Sequence, residues 1–309
     1  MVETSIVLPV FNEEGNLEIL YREIKEVLDK LGKKYEIIFV DDGSRDKTQL
    51  VLQKLKSKDK NVKIITFRTN FGQTAALDAG MKAAKGKVII TMDSDLQNDP
   101  NDIPKMLHVL DKGFDIVAGW RANRKDTLSK RFISKGARLL RRIILKDRLQ
   151  DSGCTLRAYK KECINGLNLY GEMHRFIHIL MKQKGFRTAQ MKVNHRKRIH
   201  GVTKYTFSRT LKSLLDMALL KFWLQYSKRP IHFFGGIGFF TGAIGFLIAL
   251  YLTFIRLFMQ QPIANRPMLL LSILLMVLGA MFFIFGLMAD ILVKVYYKNE
   301  ESYSIKSIS

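Results

Sequence analysis

The sequence has few cysteines and lacks a glycine-rich phosphate-binding loop. Its two cysteines, Cys154 and Cys163, form no cluster of metal ligands, which argues against a disulfide scaffold and favours a reducing cytoplasm. Neither G-x-G-x-x-G nor G-x-x-x-x-G-K-S/T occurs, so the backbone amides of a glycine loop do not hold phosphate groups here. A phosphorylated ligand would therefore need another means of neutralising its charge.

Acidic residues are scarce: 28 Asp and Glu stand against 51 Lys and Arg, giving a formal net charge of +23. Only five of the basic and three of the acidic residues lie beyond Pro230, so the positive charge belongs to the preceding part of the chain. Such a surface suits nucleic acid, anionic lipid or phosphorylated substrates. No charged segment or cleavage site precedes the first apolar run, so we expect no secretory signal peptide.

Two long apolar stretches, 231–255 and 268–293, change the class of protein that the sequence indicates. Each is long enough to span about 30 Å of hydrocarbon. A pair of buried core helices is the alternative, but the near absence of charge favours membrane spans. The short loop between them predicts a hairpin with both chain ends on one side. Basic flanking residues place that side in the cytoplasm, although Arg256 and Arg266 in the loop argue weakly against this orientation.

The first 120 residues alternate strand and helix patterns, with strands expected at 4–9, 35–40, 62–67 and 87–90. This alternation predicts an α/β fold with a mostly parallel sheet and helices on both faces. Ligands of such sheets bind at the carboxyl ends of the strands. Three polar turns lie at those ends, at 9–13, 41–44 and 93–97, and we expect them to converge on one edge.

Asp93 and Asp95 follow the apolar run at 87–90. On an extended chain, side chains at i and i+2 point the same way. Two carboxylates this close resist ionising together unless a cation lies between them, and Mg²⁺ is commonly held by one or two carboxylates plus substrate phosphates. The pair therefore predicts a D-x-D site for Mg²⁺ or Mn²⁺ that binds a diphosphate; a solvated acidic turn is the alternative.

Four ordered motifs, at 7–13, 40–44, 70–72 and 92–97, resemble those of the family 2 glycosyltransferases of GT-A fold, over residues 1 to about 205. With the segment 150–154 and the C-terminal hairpin added, the chain resembles the bacterial polyprenyl-phosphate glycosyltransferases, which are related to dolichol-phosphate mannose synthase. The resemblance implies a GT-A Rossmann-like, mostly parallel sheet, followed by amphipathic juxtamembrane helices and a two-helix transmembrane hairpin.

The resemblance also implies roles toward a nucleotide sugar. Residues at the first strand end would line the nucleotide, namely Pro9, Phe11 and Glu13. Val40 and Asp42 would contact its base and ribose.

Further roles follow for the metal, the sugar and the acceptor. Ser94 would join Asp93 and Asp95 in holding metal and diphosphate, and Gln97 would face the sugar. Asp151 is a candidate active-site acid near the acceptor, with a turn-forming aspartate as the alternative.

Basic segments supply candidate phosphate ligands. Arg121 ends a strand pattern, and Arg131 begins a basic amphipathic stretch; we expect both to draw in a lipid phosphate, and Arg131 to bind it. Arg198 and Lys204 lie in a segment that resembles the family's R-x-x-G-x-S/T-K, and they can meet the charge of the diphosphate. An ordinary solvated helix and a solvated basic loop are the respective alternatives.

The expected organisation is a catalytic domain at 1–205, interfacial amphipathic helices at 206–230, the hairpin at 231–293 and a cytoplasmic tail at 294–309. The expected location is the bacterial inner membrane, as a multi-pass protein with its catalytic domain in the cytoplasm. The sequence leaves the oligomeric state open, a homo-oligomer included.

The sequence thus indicates a metal-dependent, inverting glycosyltransferase that moves a hexose from a nucleotide diphosphate sugar to polyprenyl phosphate. UDP-glucose is the favoured donor and undecaprenyl phosphate the favoured acceptor, with no nucleic-acid partner. One alternative is a membrane polysaccharide synthase of the same fold, against which two spans and the lack of Q-x-x-R-W argue. The other is a catalytically dead protein that binds anionic lipid or nucleic acid; the intact acids argue against it.

Overall fold

The computed structural model describes residues 2–122, 142, 149–151, 153–169, 171, 173–196, 219, 221–222, 225–226, 229–260, 262 and 267–296. These belong to two compact units, Met1–Met217 and Ala218–Ser309. Arg131, Arg198 and Lys204 lie outside the described residues, as does most of the predicted interfacial segment 206–230.

The first unit is built on a seven-stranded sheet in the order β3-β2-β1-β4-β6-β5-β7. Its strands are β1 (Thr4–Val10), β2 (Tyr35–Asp41), β3 (Val62–Thr66), β4 (Val88–Thr91), β5 (Ile116–Trp120), β6 (Arg157–Lys160) and β7 (Thr188–Lys192). All neighbours pair in parallel except β6, which runs antiparallel between β4 and β5. The mostly parallel sheet is confirmed, whereas the sequence patterns predict neither β6 nor β7.

Helices cover both faces of this sheet. They are α1 (Leu17–Leu31), α2 (Thr48–Lys58), α3 (Gln73–Ala83), α4 (Ile103–Asp111), α5 (Lys161–Ile164) and α6 (Ile177–Gln183), with 3₁₀ turns at Pro100–Asp102 and Met173–Arg175. Successive strand residues face opposite sides. Ile6 and Leu8 accordingly pack with the buried stripe of α1, while Val7 packs with Met81 of α3. Two apolar layers thus cover the two faces of the sheet, and the polar turns lie at its strand ends.

The strand register sets the edge where those turns meet. Val10 of β1 lies opposite Asp41 of β2, and Asp41 lies opposite Thr66 of β3. On the other side of β1, Val7 lies opposite Thr91, the last residue of β4. The structure therefore brings the three predicted polar turns to one edge of the sheet.

The second unit contains two long apolar helices, α7 (Ile231–Phe258) and α8 (Pro267–Tyr296). Over Ile231–Phe258 and Pro267–Val293 their mean hydropathy is 2.0 and 2.8, and most of their large apolar side chains are exposed, as expected for lipid contact. Contact between them depends on small residues: a Cβ on Gly238 would lie 2.6 Å from the carbonyl oxygen of Gly279. The predicted hairpin is confirmed, with helices slightly longer than the predicted spans.

We expect Gly238→Leu to destabilise this hairpin because the new side chain must push the two backbones apart. Overpacking of this kind costs about 1–3 kcal/mol. The matched control is Gly236→Leu on the same helix, since a Cβ there meets nothing within 4 Å. The measurement is an unfolding titration with SDS in mixed micelles. Equal midpoints for the two variants would contradict the proposed glycine contact.

Candidate active site at the strand ends

The D-x-D turn follows β4 and is tied to the end of β1. The Ser94 hydroxyl donates a hydrogen bond to the Pro9 carbonyl oxygen at 2.9 Å. Asp95 is buried, and its Oδ1 accepts a hydrogen bond from the Gln97 amide at 3.2 Å. Leu96, which lies between Asp95 and Gln97, adopts a φ of 62° while its side chain is buried. The backbone therefore turns sharply between Asp95 and Gln97. The shape of the acidic turn is therefore fixed by contacts with β1 and within the turn.

Gln73, the first residue of α3, contacts this turn from another part of the chain. Its Nε2 donates a hydrogen bond to Asp93 Oδ1 at 2.7 Å. Sequence reasoning missed this residue. Its position directly after the motif at 70–72 was the only available signal.

The turn after β2 is fixed by its own two aspartates. Asp41 Oδ1 accepts a hydrogen bond from the Ser44 amide at 3.0 Å. Asp42 accepts hydrogen bonds from the side chain of Asn70 and from the amides of Phe71 and Gly72, at 2.9, 2.7 and 2.9 Å. Burial raises the pKa of Asp42 even though the two amides act to lower it. Asp42 thus holds the loop 70–72, and its predicted contact with base and ribose stays a prediction.

The turns after β1 and β2 are also joined to each other. The Asn12 amide donates to the Ser44 hydroxyl at 2.9 Å, and the Arg45 amide donates back to Asn12 Oδ1 at 2.8 Å. Glu13 is held by Thr48, whose hydroxyl accepts a hydrogen bond from the Glu13 amide at 2.9 Å. These bonds make the two turns one continuous rim.

A cavity of about 460 Å³ opens within this rim. Of the residues predicted to meet the nucleotide, Phe11 lines it, whereas Pro9 and Val40 are buried in the sheet. Arg45, Phe67 and Arg68 also line it, and no motif in the sequence pointed to them. The cavity combines aromatic surface, positive charge and the Asp41 carboxylate, a mixture that suits a nucleoside better than an apolar ligand.

Arg121 and Asp151, both predicted to lie near the acceptor, form an ion pair. Arg121 Nε and Nη2 donate to the two carboxylate oxygens at 2.7 and 3.0 Å. Burial by itself would lower the pKa of Arg121, but the hydrogen bonds and charge of Asp151 outweigh it and raise that pKa. The Gly153 amide donates a further bond to Asp151 at 3.1 Å. The carboxylate therefore holds a guanidinium group and a turn in place.

The segment after β7 is attached to the D-x-D turn. The Arg196 amide donates to the Gln97 carbonyl oxygen at 2.8 Å. Its guanidinium group bridges Glu23 of α1 and Asp99, again at 2.8 Å. Asn194 donates a side-chain hydrogen bond to Asp99 as well, at 2.9 Å. Arg196 thus fixes the end of the described segment at the turn; Arg198 lies outside the described residues, and its contact with the diphosphate stays a prediction.

The donor set at the turn fits a divalent cation shared with a substrate. Among the residues that the structure describes, no group of three or more His, Cys, Asp or Glu could hold a metal ion. Asp93 and Asp95 alone would not make a closed protein site. They do match the usual arrangement for Mg²⁺, in which one or two carboxylates act together with substrate phosphates and water. The buried His174 has its Nδ1 2.6 Å from the Thr74 hydroxyl.

Comparisons of sequence agree with this geometry. Residues 5–167 match the family described as Glycosyl transferase family 2. The chain is 39% identical over 306 residues to the dodecaprenyl-phosphate galacturonate synthase of Rhizobium johnstonii, covering 97% of this chain and 90% of that protein. It is 33% identical over 294 residues to the undecaprenyl-phosphate 4-deoxy-4-formamido-L-arabinose transferase of Pectobacterium atrosepticum, covering 94% of this chain and 88% of that protein.

Solved structures resemble a large part of this chain in fold. Glucosyl-3-phosphoglycerate synthase from Mycobacterium tuberculosis, in complex with Mn²⁺, UDP and phosphoglyceric acid, superposes with a TM-score of 0.57 at 18% identity, covering 71% of this chain and 78% of that one. The same enzyme in complex with Mg²⁺ and UDP gives a TM-score of 0.54 at 18% identity, covering 71% and 79%. These likenesses confirm the expected GT-A fold. The family match over residues 5–167 and the 39% identity to the Rhizobium johnstonii protein establish that the chain is a glycosyltransferase and belongs to glycosyltransferase family 2.

Proposed function

We propose that this glycosyltransferase moves a sugar from a nucleotide diphosphate donor to polyprenyl phosphate at the cytoplasmic face of the bacterial inner membrane. The observation that carries the proposal is the fixed D-x-D turn on the same strand-end edge as a polar, aromatic-lined cavity. The two relatives, a dodecaprenyl-phosphate galacturonate synthase and an undecaprenyl-phosphate 4-deoxy-4-formamido-L-arabinose transferase, support a polyprenyl-phosphate acceptor. The proposed orientation in the membrane can be tested with a cysteine introduced at Gln260, between the two apolar helices. This cysteine should react with a label added outside intact cells.

Within this proposal the nucleoside occupies the cavity beside Phe11, and Asp93, Ser94 and Asp95 hold the diphosphate end. A divalent cation bound by the two aspartates would supply charge neutralisation for the leaving diphosphate. We infer that Arg198 and Lys204 add positive charge there and that Gln97 faces the sugar. UDP-glucose is the first donor to test, and UDP-galacturonate is the second because the Rhizobium relative is a galacturonate synthase.

The reaction proposed is a direct displacement with inversion. An oxygen of the acceptor phosphate forms a bond to C1 of the sugar, the bond from C1 to the diphosphate breaks, and the nucleoside diphosphate leaves. A phosphate monoester with a second pKa near 6 is largely ionised at pH 7, so it needs little help from a base. The pairing of Asp151 with Arg121 supports a role in positioning the acceptor. Arg131 is proposed to bind the acceptor phosphate.

The test of the function is an assay of purified protein with undecaprenyl phosphate and a panel of radiolabelled nucleotide sugars. We expect one donor to give a labelled product that partitions with lipid. A product that stays with a polysaccharide chain would indicate the synthase alternative. Absence of turnover with every donor, with and without Mg²⁺, would favour the binding-protein alternative.

We expect Asp95→Asn to lower turnover by at least about a hundredfold, since the variant loses a charged ligand of the cation that binds the diphosphate. EDTA should do the same to the wild type, with recovery on adding Mn²⁺ or Mg²⁺. The matched control is Asp111→Asn, which removes an exposed aspartate at the end of α4. Full activity of the wild-type protein in EDTA would contradict the metal-dependent mechanism.

We expect Asp151→Asn to lower kcat/KM by about tenfold to a hundredfold, the loss typical of one charge-assisted hydrogen bond. Activity should still rise with pH near 6 in both proteins, because the acceptor phosphate loses its second proton there. The control is Asp115→Asn, which breaks an ion pair of similar length, with Lys160, next to the opposite end of β5. Loss of the rise near pH 6 in Asp151→Asn alone would instead identify Asp151 as a general base.

A further inference from the structure

The contact between Gln73 and Asp93 has a chemical property that an ion pair would lack. The Gln73 amide fixes one carboxylate oxygen at 2.7 Å but carries no charge. A lysine or arginine at this place would neutralise Asp93 and compete with a cation for it. A glutamate would add a like charge at hydrogen-bond distance. An amide donor therefore orients the carboxylate without itself neutralising its negative charge.

Gln73 is held from the side that precedes it in the chain. Asp42, buried at 4% exposure, accepts three hydrogen bonds from the loop 70–72. Gly72 enters α3 with a φ of 92°, a conformation that side chains other than glycine's disfavour. The turn after β2 packs against the same loop, because a Cβ on Gly43 would lie 2.6 Å from the Thr69 carbonyl carbon. The start of α3 is thus set by contacts with the turn after β2.

Gln73 is also held from the side that follows it. The Thr74 hydroxyl donates to the Gly171 carbonyl oxygen at 2.5 Å and lies 2.6 Å from His174 Nδ1. A hydroxyl has one proton, so His174 Nδ1–H is the donor in the second bond. Both Thr74 and His174 are buried. The backbone of Gln73 is therefore fixed on both sides, and its side chain reaches Asp93 from a rigid base.

We propose that Gln73 is a positioning residue, holding the Asp93 carboxylate in the orientation that receives the cation-bound diphosphate. This inference rests on the proposed function, because it assumes that Asp93 and Asp95 bind that group. It also assigns a role to the loop 70–72. Asp42 anchors this loop to the turn after β2, and Gln73, which follows the loop, contacts the D-x-D turn.

The primary test is Mn²⁺ binding in the presence of UDP, measured from the electron paramagnetic resonance signal of free Mn²⁺. Gln73→Met keeps the length of the side chain and removes its donor. We expect this variant to bind Mn²⁺ about tenfold more weakly while its thermal midpoint stays close to the wild type. Gln53→Met, which changes an exposed glutamine on α2, should leave binding unchanged. Wild-type affinity in Gln73→Met would overturn the proposal.

A double-mutant cycle shows whether Gln73 acts through Asp93. In an Asp93→Asn background we expect Gln73→Met to cause little further loss of Mn²⁺ affinity. An equal loss in both backgrounds would mean that Gln73 contacts the ligand directly, and the positioning role would be wrong.

Kinetics with the donor identified by the panel provide an independent check. Gln73→Met should raise the donor KM and leave the acceptor KM unchanged. An effect confined to the acceptor KM would likewise overturn the proposal. Failure of the wild-type protein to bind Mn²⁺ with UDP, or with the nucleoside diphosphate of that donor, would refute the proposed metal site itself, a result distinct from failure of Gln73→Met alone.

Discussion

The parallel packing of β1 between β2 and β4 is the constraint on which the site depends. It places Val10 opposite Asp41 and brings the turn after β4 to the same edge, where Ser94 bonds to Pro9. The strands themselves are buried by apolar layers on both faces. The turn after β4 has a positive φ at Leu96, and the Leu96 side chain is packed into one of these apolar layers, which holds the turn in this conformation. The fold supplies rigidity, and the turns supply chemistry.

Charge is organised differently inside the site than over the chain as a whole. The chain is strongly basic, yet two arginines near the site are committed to carboxylates. Arg121 is bound by Asp151, and Arg196 is bound by Glu23 and Asp99. These partly exposed pairs link segments that are distant in sequence. Asp93 is oriented by an uncharged group, the side-chain amide of Gln73.

Much of the architecture was predictable because it follows from local patterns. The alternating strands and helices predicted the mostly parallel sheet, and the two apolar stretches predicted the helices now seen at Ile231–Phe258 and Pro267–Tyr296. Strands β6 and β7 were missed. They are short, and their placement beside β5 depends on pairing with distant residues, such as Arg157 opposite Thr91 and Ala118. Strands β4 and β5 are equally short, but each contains an apolar run that β6 and β7 lack.

The sequence by itself determined the acids at the end of β4, the motifs at the other strand ends and the apolar spans, since spacing along the chain places these features. Only the tertiary structure decided which side chains meet them. It paired Gln73 with Asp93, directed Asp42 to the loop 70–72 and joined Arg121 to Asp151. Each of these contacts links residues 20 to 30 positions apart. Such contacts depend on strand order and helix packing, and these are set by burial of the whole core rather than by any local pattern.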